Sequence, residues 1–203
     1  MIKNVIVEKN NYIVVDNFLE FDKFHEIRNL YDNTLLYNSE KKWDKNLYNQ
    51  KSWPYINETV EVDNVFESDS WIYDNKNDKK YPKCIKDFQE EIINFLDVPD
   101  TTYIDSKFHE MKNNSSILWH TDHKWKYGIT YYLNDVWDNN WGGELLLDNG
   151  KNILDGYGEW ISPKPNRIVF ISAPLYHRTT PQSIKNKKRK SLQTFVGWMG
   201  KVE

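Results

Sequence analysis

The chain changes its pattern of apolar and polar positions about half-way along its length. In residues 21–31, and again in Lys83–Leu96 after Pro82, apolar side chains recur every three or four positions, which predicts two amphipathic helices. After Thr101 the apolar residues form short runs bounded by Gly, Pro, Asn and Asp, which is typical of strands and turns. This order predicts a mainly β protein of the α+β class, with flanking helices on one face of a closed or nearly closed sheet.

The strands of the second half can be placed from their composition. Aromatic and β-branched residues are concentrated in them, because such side chains pack well on a pleated surface. Gly142 and Gly143 mark a turn or bulge between two of them. The first twenty residues add one or two strands. The predicted strands of the second half are residues 127–134, 144–147, 163–171 and 189–198.

Residues 34–82 show little regular pattern and are rich in Asn, Lys, Asp, Trp and Tyr. A segment of this length is too long to be an inert loop in a compact domain. One interpretation is a lid over a substrate cleft that carries Trp43, Trp53, Tyr55 and Trp71. The other is a set of short irregular strands packed on the main sheet, and the sequence leaves both open.

The length of 203 residues suits one domain, residues 1–203. No apolar run approaches the roughly 20 residues that span a bilayer, which predicts no membrane segment. The single cysteine, Cys84, excludes an intramolecular disulfide and a cysteine-cluster metal site. The cytoplasm, where thiols stay reduced, is therefore the expected compartment.

A net charge of -3 argues against nucleic acid as the main partner, because nucleic-acid-binding proteins usually carry a basic surface. The exception is the basic run at residues 185–190. It is either a patch for an acidic partner or a solvated loop before the last strand, and solvated charge runs are the commoner case. The charge does not indicate an oligomeric state.

The candidate chemistry lies at His120, Asp122 and His177. Residues i and i+2 of a strand point to one face, so His120 and Asp122 can reach the same ion. A distant His can complete a facial triad, which binds one octahedral metal, typically Fe(II), and leaves three positions open. The pattern is weak alone, because H-x-D is common and ordinary strand histidines would satisfy it.

Six segments in one order make the triad credible. Together they resemble the iron(II)- and 2-oxoglutarate-dependent dioxygenases, and most of all the prolyl 4-hydroxylase-like branch, over most of residues 10–199. The resemblance implies a double-stranded β-helix, or jelly-roll barrel. The segments are His120 with Asp122, the Y-L-N at 132–134, the W-G-G-E-L at 141–145, the N-R-I-V-F at 166–170, His177, and Arg189 with Ser191.

The resemblance also implies roles for single residues. His120, Asp122 and His177 stand at the family's iron positions, while Arg189, Ser191 and Tyr132 stand where the family binds 2-oxoglutarate. An arginine suits this role, because its planar guanidinium meets a carboxylate through two hydrogen bonds. O2 is the second co-substrate, and ascorbate is the expected reductant.

Two departures from the family pattern concern the co-substrate site. Collagen-type prolyl hydroxylases use lysine as the basic anchor, and Lys187 and Lys188 precede Arg189. Relatives also carry a tyrosine some ten residues before H-x-D, where Met111 or Phe108 stands here. One contact to 2-oxoglutarate is therefore absent or replaced.

The implied activity is that of an oxidoreductase that hydroxylates a C–H bond and releases succinate and CO2. The branch points to a prolyl residue in a peptide or protein, and a carboxylate at Asp122 predicts hydroxylation rather than halogenation. We expect His123 to point away from the metal.

Three alternatives remain. The chain could hydroxylate a free amino acid or small metabolite. It could be a nucleic-acid demethylase, although Phe195 stands where that branch has a second arginine. It could also be a non-catalytic metal-binding barrel, which would have little use for Arg189 and Ser191.

Overall fold

The structure is a computed structural model that describes residues 3–38, 65–73, 81–99, 102–148 and 158–198. Within these ranges, helices α1 and α2 are flanked by thirteen strands. The helices are α1 (Phe21–Asp32) and α2 (Lys83–Leu96). The strands are β1 (Asn4–Lys9), β2 (Tyr12–Asp16), β3 (Tyr37–Asn38), β4 (Val65–Glu67), β5 (Trp71–Ile72), β6 (Ile104–Met111), β7 (Ile117–His120), β8 (Trp125–Tyr132), β9 (Leu145–Asp148), β10 (Gly158–Ile161), β11 (Ile168–Ser172), β12 (His177–Thr179) and β13 (Arg189–Trp198).

The strands form two antiparallel sheets. The larger sheet has the order β1-β2-β11-β8-β13-β6-β4-β3, with β5 also paired to β6, and the smaller has the order β10-β9-β12-β7. An apolar cluster with members from both sheets joins them. This is the predicted jelly-roll, and it confirms the fold class. The cluster contains Tyr12, Val14, Tyr132, Leu145, Leu147, Ile161, Val169, Ile171 and Leu175.

Both helices bury their apolar stripes in a second cluster that includes the other face of the larger sheet. Phe18 is packed edge-on against Phe88, Phe170 and Tyr131, with ring centroids 5.8–6.2 Å apart. Such arrangements place the positive ring edge against the negative ring face, which stabilises aromatic cores. No helix in the described part of the chain is long and apolar enough to cross a membrane.

The predicted helices and the last strand agree with the structure. Lys83–Leu96 and Arg189–Trp198 have the predicted bounds, and α1 extends one residue further, to Asp32. Of the predicted lid residues, Trp43, Trp53 and Tyr55 lie outside the described residues. The described parts of that segment form short strands, of which β4 and β5 pair with β6.

Asn166 ties the turn after β2 to the start of β11. Its side-chain oxygen accepts hydrogen bonds from the Leu19 backbone N–H at 3.0 Å and from the Tyr131 hydroxyl at 2.7 Å. Its amide nitrogen donates to the Leu19 carbonyl at 2.8 Å. The residue has a φ of 55°, a left-handed conformation that asparagine tolerates better than most residues.

We expect Asn166→Ala to destabilise the fold by about 2–4 kcal/mol. The change leaves buried partners on Leu19 and Tyr131 without hydrogen bonds and places a Cβ-bearing residue without a polar side chain at positive φ. Asn166→Gly should recover about 1 kcal/mol, because it removes only the hydrogen bonds. Urea unfolding at unchanged m-value measures both. Equal stability of Asn166→Ala and the natural protein would contradict this role.

Candidate active site

The metal-binding candidates meet because two strands of the smaller sheet pair in one register. His120 ends β7, His177 begins β12, and the two are direct partners with ring centroids 4.2 Å apart. Asp122 follows two residues after His120. Its Oδ2 lies 3.5 Å from His177 Nε2, and its Oδ1 lies 4.0 Å from His120 Nε2. One donor atom from each residue lies within 4.8 Å of the others, so the three can surround one ion.

The imidazole of His177 is held in the orientation that a metal ligand needs. Its Nδ1 lies 3.1 Å from the Leu175 carbonyl oxygen. A carbonyl only accepts hydrogen bonds, so Nδ1 carries the proton and Nε2 presents its lone pair toward Asp122. A bond of this kind sets both the tautomer and the ring angle of a ligating histidine. The buried His177 is therefore prepared for a metal before any ion arrives.

Gly128 makes room for the Asp122 carboxylate, and the sequence reading missed it. Gly128 lies inside β8 and is buried. A Cβ added there would overlap Asp122 Oδ2 and press on Asp122 Cγ. A glycine inside an apolar strand is unfavourable by itself and usually marks a close approach of another group. That signal is visible in the sequence, but it does not identify the group.

The triad lines a cavity of about 700 Å³ between the two sheets. His123 also lines this cavity, but it is not one of the three clustered donors. Its Nδ1 lies 3.4 Å from the Thr121 hydroxyl. Other lining residues include Lys107, His109, Asp105, Thr130, Gln193 and Phe195.

Arg189 begins β13 of the larger sheet and is 1% exposed. One guanidinium nitrogen lies 3.2 Å from Met111 Sδ and another 3.4 Å from the Tyr132 hydroxyl. Its Nε is buried without a hydrogen-bond partner, and no carboxylate within the described ranges forms an ion pair with it. Ser191 is fully buried and pairs in register with Tyr132. The structure thus places the Tyr132 and Ser191 hydroxyls on strands beside the buried Arg189 guanidinium.

Residues 106–197 match the family model described as the 2OG-Fe(II) oxygenase superfamily. This span contains the triad, Arg189 and its neighbours. In this region the chain is similar to the 2OG-Fe(II) oxygenase superfamily. The family has Fe(II), 2-oxoglutarate and O2 as its cofactor and co-substrates.

Several solved structures have a similar fold. A prolyl-4-hydroxylase from Pseudomonas putida has a TM-score of 0.55 at 16% identity and covers 94% of both chains. A prolyl hydroxylase from Trichoplax adhaerens, in complex with a peptide fragment of hypoxia inducible factor, has a TM-score of 0.63 at 16% identity. This match covers 93% of this chain and 84% of that one.

A more distant match is HygX from Streptomyces hygroscopicus with nickel, 2-oxoglutarate and hygromycin B bound. It has a TM-score of 0.60 at 7% identity, covering 93% of this chain and 83% of that one. At such identities the matches establish the shared fold. No curated protein shows significant sequence similarity to the chain.

The lysines near Arg189 have other contacts. Lys187 lies over the Trp141 ring, 5.2 Å from its centroid, and Lys188 pairs with Glu110 at 3.0 Å. Lys190 pairs with Asp32 at 2.9 Å. The basic run is thus engaged with its own chain at these three positions, which agrees with the solvated-loop interpretation.

A second polar cluster lines the cavity and was not predicted. Glu67 Oε1 lies 2.7 Å from His109 Nε2 and 3.0 Å from Lys107 Nζ. Burial alone raises the pKa of Glu67, but the hydrogen bond from His109 and the charge of Lys107 outweigh it and hold the pKa well below its ordinary value. Burial lowers the pKa of His109 below its ordinary value, although the hydrogen bond with Glu67 opposes that shift. β4 and β6 bring these side chains together across 40 residues of sequence.

We expect Gly128→Ala to weaken metal binding at least about tenfold, or about 1.4 kcal/mol, because the new Cβ displaces the Asp122 carboxylate. Calorimetric titration with Mn(II) measures the affinity. Thr130→Ala, two residues along the same strand, is the matched control, because the Thr130 hydroxyl bonds to Gln193 rather than to the triad. Unchanged affinity in Gly128→Ala would show that Asp122 binds no metal from this position.

Proposed function

We propose that His120, Asp122 and His177 hold Fe(II) in this oxygenase, and that the chain hydroxylates a C–H bond of an organic substrate. The convergence of the three donor atoms in a substrate-sized cavity carries the proposal. Two imidazoles and one carboxylate are the donor set that suits ferrous iron and leaves three coordination positions open. The His177 tautomer and the space above Gly128 both favour this fit.

Arg189, Ser191 and Tyr132 are proposed to bind 2-oxoglutarate. A dicarboxylate would supply the negative charge that the buried Arg189 lacks among the described residues. The planar guanidinium can bind one carboxylate through two nitrogens, while the hydroxyls of Ser191 and Tyr132 donate to its oxygens. Met111, one of the two residues that could replace the relatives' tyrosine, lies beside the Arg189 guanidinium. Its thioether donates no hydrogen bond, so Tyr132 and Ser191 carry the polar contacts here.

When bound, iron with 2-oxoglutarate and O2 supplies the oxidising chemistry, which converts 2-oxoglutarate to succinate and CO2 and hydroxylates the substrate. The protein's own residues position the reactants and keep water away. Trp125 and Phe195 form an aromatic wall beside the triad, with ring centroids 5.4 Å apart. Ascorbate remains the expected reductant, since the iron must be kept in the Fe(II) state between turnovers.

The proposed substrate is a prolyl residue in a peptide or protein. The shared fold with a prolyl hydroxylase that binds a peptide fragment supports this choice, and the aromatic wall offers a surface for a proline ring. The complex of HygX with hygromycin B supports the second candidate, a small metabolite. We also infer a single domain over residues 1–203 and a cytoplasmic location, the latter from the lone Cys84.

The direct test is succinate release from 2-oxoglutarate by the purified chain with Fe(II) and ascorbate. His120→Ala, Asp122→Ala and His177→Ala should each abolish it, because two ligands hold the ion poorly. His123→Ala should retain it and serves as the matched control. Mass spectrometry of proline-rich peptides should then detect the gain of one oxygen. Succinate release without iron, or retained by the triad variants, would contradict the proposal, and gain of oxygen only on free metabolites would favour the second candidate.

Arg189→Ala should raise the KM for 2-oxoglutarate by one to several orders of magnitude. Loss of one partner from a buried hydrogen-bonded ion pair costs about 2–5 kcal/mol, and tenfold corresponds to about 1.4 kcal/mol. Lys187→Ala should change the KM less than about twofold, because Lys187 lies on Trp141. Initial rates of succinate formation measure both variants. A larger effect of the lysine substitution would mean that the anchor has been assigned to the wrong residue.

A further inference from the structure

We propose that this oxygenase selects a substrate that carries an organic cation, an ammonium or guanidinium group, and that Asp105 binds this cation beside the metal triad. The inference rests on the proposed function and specifies its substrate class. It is drawn from the position of Asp105, from its missing counter-ion among the described residues, and from the aromatic wall next to it.

The register of three strands places Asp105 in the same cross-strand row as Gly128, which lies against the Asp122 carboxylate. Phe195 on β13 is the direct partner of Asp105 on β6 and of Gly128 on β8. The Asp122 carboxylate occupies the space above Gly128. Neighbouring strands lie about 4.8 Å apart, so two intervals put Asp105 roughly 10 Å from Gly128 along the sheet. Asp105 and the triad both line the same cavity.

Asp105 is an incompletely satisfied carboxylate. Its Oδ1 is buried and accepts no hydrogen bond within the described residues. Burial raises the pKa of Asp105 above its ordinary value, although a hydrogen bond from Ser70 opposes that rise. A buried carboxylate oxygen without a hydrogen-bond donor is costly, and a cation with N–H donors is a group that removes this cost.

The charged neighbours do not supply that cation. Lys107, two residues along β6, already pairs with Glu67 at 3.0 Å. Lys124 lines the cavity but is exposed to solvent. Asp69, another carboxylate of the cavity lining, is exposed as well. Asp105 is therefore a partly buried carboxylate outside the triad whose Oδ1 is left for a ligand, as far as the described ranges extend.

The surroundings strengthen the attraction for a cation. Phe195 lies beside Asp105, and Trp125 is stacked on Phe195 and on Tyr103, with ring centroids 5.4 Å and 5.6 Å away. An apolar wall lowers the local dielectric constant, so a carboxylate and an ammonium attract each other more strongly there than in water. Aromatic faces add their own attraction for cations.

The spacing limits where the cation lies on the substrate. Roughly 10 Å corresponds to about three residues of extended peptide. In a peptide, the basic residue would then lie within about three positions of the hydroxylated one. In a small molecule, an amine or guanidine would lie a few bonds from the reacting carbon. Both sources present the same chemistry to Asp105, and the experiment distinguishes them.

Two probe series measure the charge preference of the full chain. The first is n-butylammonium, n-butanol and butyrate, titrated by calorimetry into the protein without metal. The second is a set of proline-rich peptides that carry Lys, norleucine or Glu two residues from the proline. We expect the cationic member of at least one series to bind about tenfold more tightly than its neutral counterpart. Preference in the first series alone identifies a small amine, and preference in the second identifies a peptide.

Asp105→Asn is the deciding variant, because it keeps the shape and removes the charge. It should reduce the preference to less than about twofold, whereas Asp69→Asn, an exposed carboxylate of the same cavity, should leave it unchanged. Asp105→Lys should reverse the preference toward the anionic probe. Equal binding of all members of both series, or a preference that survives Asp105→Asn in a folded protein, overturns the inference.

Succinate release without added probe separates this inference from the proposed function. If the natural chain and Asp105→Asn both convert 2-oxoglutarate but show no charge preference, only the cation site is wrong. If neither protein converts 2-oxoglutarate but the natural chain still prefers the cationic probe, the cation site stands and the oxygenase proposal fails. Urea unfolding of each variant shows whether a lost preference reflects a lost fold.

Discussion

The register of β12 between β7 and β9 is the constraint on which the candidate active site depends. It sets His177 opposite His120 and across from Leu147. A slip of one residue would turn the His177 side chain to the other face of the sheet and present Arg178 instead. Leu145 and Leu147 on β9 are buried in the cluster that joins the two sheets. The apolar packing between the two sheets therefore also fixes the register of β12. This register in turn places His177 opposite His120.

The larger sheet lines the other side of the cavity, because alternate side chains along its strands point to that face. On β13, Arg189, Ser191, Gln193 and Phe195 share one face, and their partners on β6 are Met111, His109, Lys107 and Asp105. This face runs from the buried guanidinium of Arg189 at one end to an aromatic wall and the half-buried carboxylate of Asp105 at the other. An anionic co-substrate and a cationic substrate group would thus be bound at opposite ends of the same strands, with the triad facing them from the smaller sheet.

Much of this arrangement could be predicted from the sequence, and the limits have physical causes. The helices and β13 have strong periodicity, and His120, Asp122 and His177 stand in a recognisable order of segments. Gly128, Glu67 and Asp105 could not be assigned, because their roles arise only from cross-strand pairing over long separations. The position of His123 at the cavity could not be read from strand alternation, because β7 ends at His120. The short strands β3 to β5 have too few residues to show a period.

The most direct test of this account is a crystal structure of the chain with Mn(II) and 2-oxoglutarate, with the metal located by anomalous diffraction. The account predicts one metal peak at bonding distance from His120 Nε2, an Asp122 oxygen and His177 Nε2. The 2-oxoglutarate should reach from that metal to the Arg189 guanidinium. A peak that involves His123 in place of His120, or a 2-oxoglutarate whose far carboxylate lies on Lys187 or Lys188, would contradict it.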